Sequence, residues 1–300
     1  MSHPGISSRG RLVLLRDGID LYDCMSGIES QGIGRCVPLP LIGGFHCLCD
    51  DHADGLLSAH PAVSLVEENT AVNLTAIALQ DPTVRQPWNI TQAIRAIHAH
   101  DAWRLSQGEG VGVAVFDTGI DLTHPDLINR VHGGINLIKE GAQPQDDHGH
   151  GTRVAGIIAA MGRTPAVTGV APKAKLYAIK VLDAKGDGAV SDLILGLQWV
   201  MEHNISVINM SLDIPEESQA LAAAIHKAIA SGITIIASTG NRGPASPPVY
   251  PAAYPGVIGV SAVTLEGRAV SFGSSGPDID LVAPGLAIRT TSLRRGYTWA

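Results

Sequence analysis

The sequence lacks the marks of several protein classes. It has no long run of basic residues, and 28 Asp and Glu outnumber 21 Lys and Arg, for a net charge of -7. Because a protein that binds a phosphate backbone needs clustered positive charge, no nucleic-acid partner is expected. No stretch approaches the roughly 20 continuous apolar residues that cross a bilayer, so no membrane partner is expected either. Only 16% of the residues are charged and 45% are hydrophobic, which argues against disorder.

The chain also has few cysteines and none after residue 49. Cys24, Cys36, Cys47 and Cys49 lack the paired C-x-x-C spacing of structural zinc sites, and disulfides would need an oxidising compartment that nothing here indicates. We therefore expect buried free thiols. Residues 1–9 lack the charged-then-apolar order of a signal peptide. The expected location is the cytoplasm, or outside the cell if the true start lies upstream.

The first part of the chain is predicted to form a small separate unit. Residues 1–75 mix short apolar runs with one helical segment, which is the pattern of an α+β fold. Residues 76–90 are interpreted as a linker, because residues 80–87 are polar and contain two prolines. The predicted strands of the unit are residues 11–16, 36–49 (interrupted by Gly43 and Gly44) and 63–68, and its predicted helix is residues 51–59.

The remainder, residues 91–300, alternates apolar runs with amphipathic segments. This alternation predicts an α/β fold, a parallel sheet covered by helices on both faces. Ser191 is expected to cap the first of two predicted helices, and Gly232 to end the second. The predicted strands are residues 111–116, 176–182, 207–210, 233–237 and 257–263, and the predicted helices are residues 191–203 and 220–231.

Three polar residues of this region suggest chemistry. Asp117 and Asn241 follow apolar runs, and His150 precedes a helix rich in small residues; the carboxyl ends of parallel strands are where such folds place ligands. Each alone is ordinary, since Asp and Asn often form turns, and His148 beside His150 could equally suggest a metal, although their i, i+2 spacing does not share a helical face. Together, an acid, a histidine and an amide donor match acyl transfer.

Several short motifs stand in a particular order along the same region. They are Asp-Thr-Gly at 117–119, His-Gly-Thr-Arg-Val-Ala-Gly at 150–156, Gly-Val-Ala-Pro at 169–172, Asn-Met-Ser-Leu at 209–212, Gly-Asn at 240–241, Tyr-Pro-Gly-Val-Ile at 254–258 and Leu-Val-Ala-Pro-Gly at 281–285. In this order and separation they resemble the subtilisin-like serine proteases, from about residue 88 to the last residue. The resemblance implies a subtilisin-like parallel sheet with helices on both faces. More weakly, residues 1–75 resemble the inhibitory pro-domain of that family, a small α+β (ferredoxin-like) unit.

The resemblance also implies a role for each candidate residue. Asp117 would orient the imidazole of His150, the general base and then the general acid, and Asn241 would donate to the oxyanion. An extended substrate would pair as an added strand with segments that line a cleft. These substrate-binding residues are Ser211, Leu212, Asp213, Ser238, Thr239 and Gly240.

Three departures from the family pattern matter. The family nucleophile lies in a Gly-Thr-Ser-Met-Ala motif, and the 300 residues contain no such segment and end just before its expected place. The loop at 161–167, where many relatives bind calcium, offers Arg163 in place of an oxygen ligand, although Asp126 could contribute a carboxylate; no metal or other cofactor is therefore expected. Asp213 stands where relatives usually have glycine, and it could favour a basic substrate side chain or be a solvated acid.

The leading hypothesis is a serine endopeptidase precursor that acts on peptides or proteins, with its own pro-domain as an intramolecular inhibitor. The 300-residue chain itself is predicted to be inactive without its nucleophile. The alternative is a non-catalytic pseudoprotease that binds peptides or inhibits a protease. A third hypothesis is a metal-dependent hydrolase built on Asp146, Asp147, His148 and His150.

Overall fold

A computed structural model describes residues 10–74, 90–163, 167–277 and 279–299. These residues form an antiparallel sheet near the N-terminus and a larger parallel sheet after it. The predicted linker, residues 76–90, lies outside the described residues except for its last residue, which begins a helix. Within the described ranges no helix is long and apolar enough to cross a membrane.

Residues 10–74, which we call the N-terminal unit, contain five strands and two helices. They are β1 (Arg11–Leu15), α1 (Leu21–Ser30), β2 (Arg35–Leu39), a 3-10 turn (Pro40–Ile42), β3 (Gly44–Leu48), α2 (Ala53–Ala59), β4 (Val63–Glu68) and β5 (Ala71–Leu74). Four of the strands form an antiparallel sheet in the order β2-β3-β1-β4. Helices follow β1 and β3, so the unit has the predicted α+β composition in a split β-α-β order.

Helix α1 of this unit was not predicted by the sequence analysis. The carboxylate of Asp20 accepts the backbone N–H of Asp23 at 2.9 Å and caps the helix. Cys24, Met25 and Ile28 are buried on one face of it. A cap followed by apolar residues at helical spacing is the usual signal of an amphipathic helix, so this segment was predictable.

Residues 90–299, the parallel-sheet unit, contain the other elements. Its helices are α3 (Ile90–Ala96), α4 (Ala99–Ala102), α5 (His150–Ala159), α6 (Val190–Glu202) and α7 (Gln219–Ala230). Its strands are β6 (Gly112–Asp117), β7 (Val131–Asn136), β8 (Lys175–Lys180), β9 (Asp187–Ala189), β10 (Val207–Met210), β11 (Leu212–Asp213), β12 (Thr234–Ser238), β13 (Ile258–Val263), β14 (Leu281–Pro284), β15 (Arg289–Ser292) and β16 (Gly296–Trp299).

Seven of these strands form one sheet in the order β14-β13-β12-β10-β6-β8-β7, and every neighbouring pair is parallel. All five predicted strands are present as β6, β8, β10, β12 and β13. Strand β7 was not predicted because Gly133 and Gly134 interrupt its apolar pattern. Gly134 lies so close to β8 that a Cβ there would be 2.1 Å from the carbonyl oxygen of Ala178.

Both predicted helices are present, as α6 and α7, but the expected cap of α6 was wrong. Ala189 is the N-cap residue, and its N–H donates to the carboxylate of Asp192 at 3.2 Å. Ser191 lies inside the helix, where its N–H donates to the side-chain oxygen of Asn69 at 3.0 Å. Gly232 follows the end of α7 with φ +91, the left-handed conformation that suits glycine.

The antiparallel sheet is covered on both faces. Val13 packs in a cluster with Ile28 and Leu57 from α1 and α2. Its neighbour Leu12 belongs to the main core of the protein, together with residues of α6 and α7 such as Leu193. Because successive strand residues point to opposite faces, one face of the sheet carries its own helices and the other packs against the parallel-sheet unit.

Candidate active site

Asp117 is the last residue of β6, between β10 and β8 in the parallel sheet. It is fully buried. Its Oδ1 accepts the N–H of Thr118 at 2.7 Å, and its backbone oxygen accepts the N–H of Val181 at 3.0 Å. The carboxylate is therefore held in one position at the carboxyl edge of the sheet.

His150 is the first residue of α5, and the fold brings it into contact with Asp117. Nδ1 of the imidazole lies 2.9 Å from both Oδ1 and Oδ2 of the carboxylate, and the His150 side chain is 14% exposed. An ionised carboxylate only accepts hydrogen bonds, so Nδ1 carries the shared proton. In the neutral imidazole with this tautomer, Nε2 has a lone pair that can take a proton.

Two glycines beside His150 allow this close approach. A Cβ at Gly151 would lie 2.1 Å from the carbonyl oxygen of Gly119 and 3.1 Å from the Asp117 side chain. Gly149 has φ +101, which L side chains rarely adopt. The Gly-His-Gly order therefore fits the backbone contact between the two loops.

Asp146 organises the loop that carries His150, a role the sequence analysis did not assign. Its Oδ1 accepts the Thr118 hydroxyl at 2.8 Å and the N–H groups of His148 and Gly149 at 3.0 and 2.7 Å. Its Oδ2 accepts the N–H and the hydroxyl of Thr152 at 2.9 and 2.5 Å. An acid just before the first turn of a helix is a capping signal, so the sequence did hold a clue.

Asn241 lies at the same edge of the sheet, shortly after β12. Strand β12 is two strands away from β6, about 10 Å at the usual spacing of neighbouring strands. Gly240 has φ +96, and a Cβ there would be 3.0 Å from Cγ2 of Val249. The turn before Asn241 thus depends on a glycine. The strand order thus places Asn241 at the same edge of the sheet as Asp117.

The predicted substrate-binding segment at 211–213 is paired with the chain itself. β5 lies between β11 and β9, antiparallel to both, with Leu74 opposite Leu212 and Asn73 opposite Asp213. The hydroxyl of Ser211 accepts the side-chain N–H of Asn209 at 3.0 Å. The edge expected to receive an extended peptide therefore already holds an extended segment of the N-terminal unit.

The second predicted substrate-binding segment, Ser238 to Gly240, follows the end of a central strand. Ser238 is the last residue of β12. The backbone N–H of Thr239 donates to the carbonyl of Val260 at 3.1 Å, and its carbonyl accepts the N–H of Val249 at 3.2 Å. The backbone of Thr239 thus makes its hydrogen bonds within the parallel-sheet unit, whereas β11 pairs with β5 of the N-terminal unit.

Residues 108–299 match the profile of the Peptidase S8 family, described as the subtilase family. The chain belongs to the subtilase family. It is 42% identical to Subtilisin E of Bacillus subtilis (strain 168) over 246 residues, which are 81% of this chain and 61% of that protein. It is 46% identical to a Subtilisin of Bacillus pumilus over 209 residues, 68% of this chain and 74% of that protein. An Alkaline protease of Shouchella clausii is 40% identical over 235 residues, 78% of this chain and 58% of that protein.

These matches confirm the predicted family and its subtilisin-like α/β fold. The chain spans 61% of the length of Subtilisin E. The role of the N-terminal unit as a pro-domain, the boundaries of the units and the roles of the individual site residues stay predictions.

Asp213 of this subtilase has a counter-charge in the loop that follows β12. Nη2 of Arg242 lies 3.3 Å from its Oδ2, with the Asp213 side chain 13% and the Arg242 side chain 43% exposed. Burial raises the pKa of Asp213, and the guanidinium of Arg242 opposes that rise. Asp213, which could favour a basic substrate side chain, is thus already paired with Arg242 of the same chain.

The resemblance to the family implies a calcium ion at the loop of residues 161–167. The carboxylate of Asp126 is buried, with Oδ1 accepting the N–H of Arg163 at 2.8 Å and Oδ2 accepting the hydroxyl of Tyr297 at 2.7 Å. Calcium needs oxygen lone pairs pointing at it, whereas two donors point at this carboxylate. Residues 164–166 are outside the described part of the loop, and the described residues do not by themselves supply the roughly six to eight oxygen ligands of a calcium ion.

The two acids and His150 of the third hypothesis are committed to other contacts, and of His148 only the backbone N–H is. Asp146 binds loop N–H groups, and Oδ1 of Asp147 accepts the ammonium of Lys180 at 2.7 Å. In the described ranges no group of three or more His, Cys, Asp or Glu is placed to hold a metal. All four cysteines are free thiols, and three of them are buried as predicted, with Cys49 half-buried.

Proposed function

We propose that this subtilase is a serine endopeptidase precursor that hydrolyses peptide bonds with Asp117, His150 and a serine outside these 300 residues. The observation that carries the proposal is the contact of His150 Nδ1 with both Asp117 oxygens at 2.9 Å. It lies at the carboxyl edge of a parallel sheet, where such folds place catalysis. Membership of the subtilase family supports the same reaction.

The chemistry follows from the atoms that are left to react. His150 Nε2 takes the proton of the serine hydroxyl as its oxygen attacks the substrate carbonyl. The buried Asp117 carboxylate stabilises the imidazolium that forms, and the Asn241 amide donates to the oxyanion of the tetrahedral intermediate. His150 then gives the proton to the leaving amine. Water repeats the sequence on the acyl-enzyme and frees the serine.

We further propose that the 300-residue chain alone does not turn over peptides. It contains no Gly-Thr-Ser-Met-Ala segment. Ser274 is 3% exposed, and the hydroxyl of Ser275 donates to the carbonyl of Pro244 at 2.5 Å, so neither is available to attack. Loss of the nucleophile alone costs roughly a factor of 10⁶ in turnover, a magnitude known from a subtilisin and carried over here.

A fluorophosphonate probe, followed by intact mass, tests the enzyme proposal. We expect labelling of a version extended through the next hundred or so codons but not of the 300-residue chain. In the extended version His150→Ala should abolish labelling. His132 is an exposed histidine of β7, so His132→Ala is the control and should still be labelled. Labelling of the 300-residue chain would contradict our account of the nucleophile. If neither form labels, the non-catalytic peptide-binding alternative replaces the enzyme.

We also propose that the N-terminal unit inhibits the site by filling the cleft. The support is the position of β5 between β9 and β11, where Val72 is fully buried and lies opposite Gly188. Backbone pairing with both edges leaves no room for a substrate strand. The unit would therefore act as an intramolecular inhibitor until it is displaced. Labelling and kinetics of the extended version accordingly refer to the protein after the unit has been displaced.

Two variants of β5 test the inhibitor. Val72→Asp places a charge in the core and should release β5, so that a fluorescent extended apolar peptide binds the 300-residue chain. Ala71→Asp makes the same change at the neighbouring exposed position and should leave the chain unable to bind the peptide. Fluorescence anisotropy measures both, with circular dichroism as a check of folding. Equal binding to the two variants would contradict the proposal.

A further inference from the structure

Lys180 is a buried cation beside the proposed active site that the reaction itself does not use. It is the last residue of β8 and lies opposite Asp117 of β6 in the sheet register. Its side chain is 3% exposed. Nζ donates to the carbonyl of Thr118 at 2.6 Å, to Oδ1 of Asp147 at 2.7 Å and to the carbonyl of Leu182 at 3.0 Å.

These three bonds use every donor of the ammonium. A lysine has three N–H donors and no acceptor, and each one here has an acceptor within 3.0 Å. A buried charge is tolerated only where it is paired and hydrogen-bonded. The position of Nζ is thus fixed by its three partners rather than by solvent.

Two of the three partners lie in the segments beside the proposed acid and base. Thr118 directly follows Asp117, and Asp147 is three residues before His150. The strand side of this contact is also held by the backbone, because the carbonyl of Asp117 accepts the N–H groups of Val181 and Leu182 at 3.0 and 3.3 Å. The distinct contribution of Lys180 is therefore its hold on the His150 loop through Asp147.

A role of Lys180 in packing alone would predict something different. If Lys180 only filled the end of β8, a methionine of similar length would serve, since packing alone requires no charge there. Asp147 would then be free to turn outward, because its side chain is 53% exposed. Instead its carboxylate reaches inward to the ammonium.

We propose that Lys180, through Asp147, is a positioning residue that keeps the His150 loop against the Asp117 strand so that Nδ1 stays in contact with the carboxylate. Its effect on catalysis rests on the proposed function, but its effect on the Asp117–His150 contact does not. Asp146 also ties the two loops, since it accepts the hydroxyl of Thr118. Loss of Lys180 should thus loosen the contact without abolishing it.

Proton NMR of the 300-residue chain tests this directly. With ¹⁵N-labelled histidine, the hydrogen-bonded Nδ1–H of His150 is identified by its loss in His150→Ala. We expect this resonance to move upfield and exchange faster with water in both Lys180→Met and Asp147→Asn. Lys175→Met is the matched control, because it makes the same change at the exposed start of the same strand, and it should leave the resonance unchanged.

The outcomes separate a positioning role from a structural one. A lower urea midpoint for Lys180→Met with an unchanged Nδ1–H resonance would overturn the proposal. If Lys180→Met does not fold, Asp147→Asn decides, because it leaves the lysine bonds to two backbone carbonyls intact. An unchanged resonance in Asp147→Asn would then overturn it.

Kinetics of the extended version supply a second readout. We expect Lys180→Met to lower kcat roughly 10- to 100-fold with little change in KM, the pattern of a misplaced catalytic group. Lys180→Arg, which keeps a charged donor, should recover part of the loss. An inactive extended wild type would refute the proposed function, while the NMR comparison would still decide the role of Lys180.

Discussion

Glu67 of the N-terminal unit caps helix α7 of the parallel-sheet unit. Its Oε1 accepts the hydroxyl of Ser218 at 2.5 Å and the N–H of Ala220 at 3.1 Å, and its Oε2 accepts the N–H of Gln219 at 3.0 Å. The first N–H groups of a helix have no partner within it and carry partial positive charge. A carboxylate from one unit thus satisfies donors that the other unit cannot satisfy itself.

We expect Glu67→Ala to lower the free energy of unfolding by about 1 kcal/mol, the usual cost of losing a helix cap. Urea denaturation followed by circular dichroism measures it. Glu68→Ala is the matched control, because the neighbouring residue is exposed. Equal midpoints of urea unfolding for the two variants would show that the cap formed by Glu67 adds nothing to stability.

A second prediction concerns the oxyanion donor. In the extended version, Asn241→Leu should lower kcat roughly 10²- to 10³-fold and change KM little, because the donor acts on charge that exists only in the transition state. That magnitude was measured for such a donor in a subtilisin and is carried over here. Asn129→Leu, at an exposed position, should be neutral. A fall in kcat/KM that comes only from KM would instead assign Asn241 to substrate binding.

The Asp213–Arg242 pair predicts a change of substrate preference. In the extended version, Arg242→Ala should raise the ratio of kcat/KM for peptides with Lys rather than Met before the scissile bond by roughly 2- to 5-fold, the worth of a partly exposed ion pair. Because burial raises the pKa of Asp213, this preference should be present at high pH and disappear as pH falls through that pKa.

Two variants serve as controls for this preference. Arg268→Ala removes an exposed arginine far along the chain that pairs with Glu266 at 3.4 Å, and the ratio should not change. Adding Asp213→Asn to Arg242→Ala should cancel the gain. A gain that survives in the double variant would show that Asp213 is not its source.

Buried Asp192 predicts a pH dependence of stability. Burial raises its pKa well above the ordinary value, so the folded chain keeps a proton that the unfolded chain releases above about pH 4. The folded state then binds more protons, and the free energy of unfolding falls as pH rises from about 4 towards the raised pKa.

Asp192→Asn should remove most of this fall, because the amide oxygen can still accept the N–H of Ala189 but cannot ionise. Urea unfolding at about pH 4.5 and 7.5 measures the difference, and the variant should be more stable than wild type only at the higher pH. Asp187→Asn, at an exposed position, is the control. A parallel change in both variants would contradict the argument.

The features that sequence reasoning predicted share one property: each follows from a local pattern. Asp117 and Asn241 come directly after apolar runs that had to be buried strands, and the ends of parallel strands meet at one edge. The small residues after His150 indicated a closely packed helix, which is α5. Ser191 looked like a cap by the same local logic, but the helix begins earlier, and the N–H of Ser191 is satisfied by Asn69 of the other unit.

What the sequence did not reveal depends on contacts between distant segments. Asp146 was considered only as a metal ligand, because its bonds to Thr118 exist only once two loops meet. Lys180 ends an apolar strand, and nothing local indicates that its ammonium turns back to Asp147. Strand β5 has only four residues, which are too few for the sequence pattern to show that it lies between β9 and β11.

Because of this placement, a substrate peptide must compete with β5, which is part of the same chain, for the edges of β9 and β11. While the chain is intact, β5 is present at a high effective concentration set by its covalent connection to the parallel-sheet unit, of millimolar order for short connections. Dilution of the protein cannot release it, and a weakly binding peptide cannot compete. A single cut after Leu74 would turn β5 into a separate ligand without any change of fold. Its occupancy between β9 and β11 would then depend on the concentration of the protein.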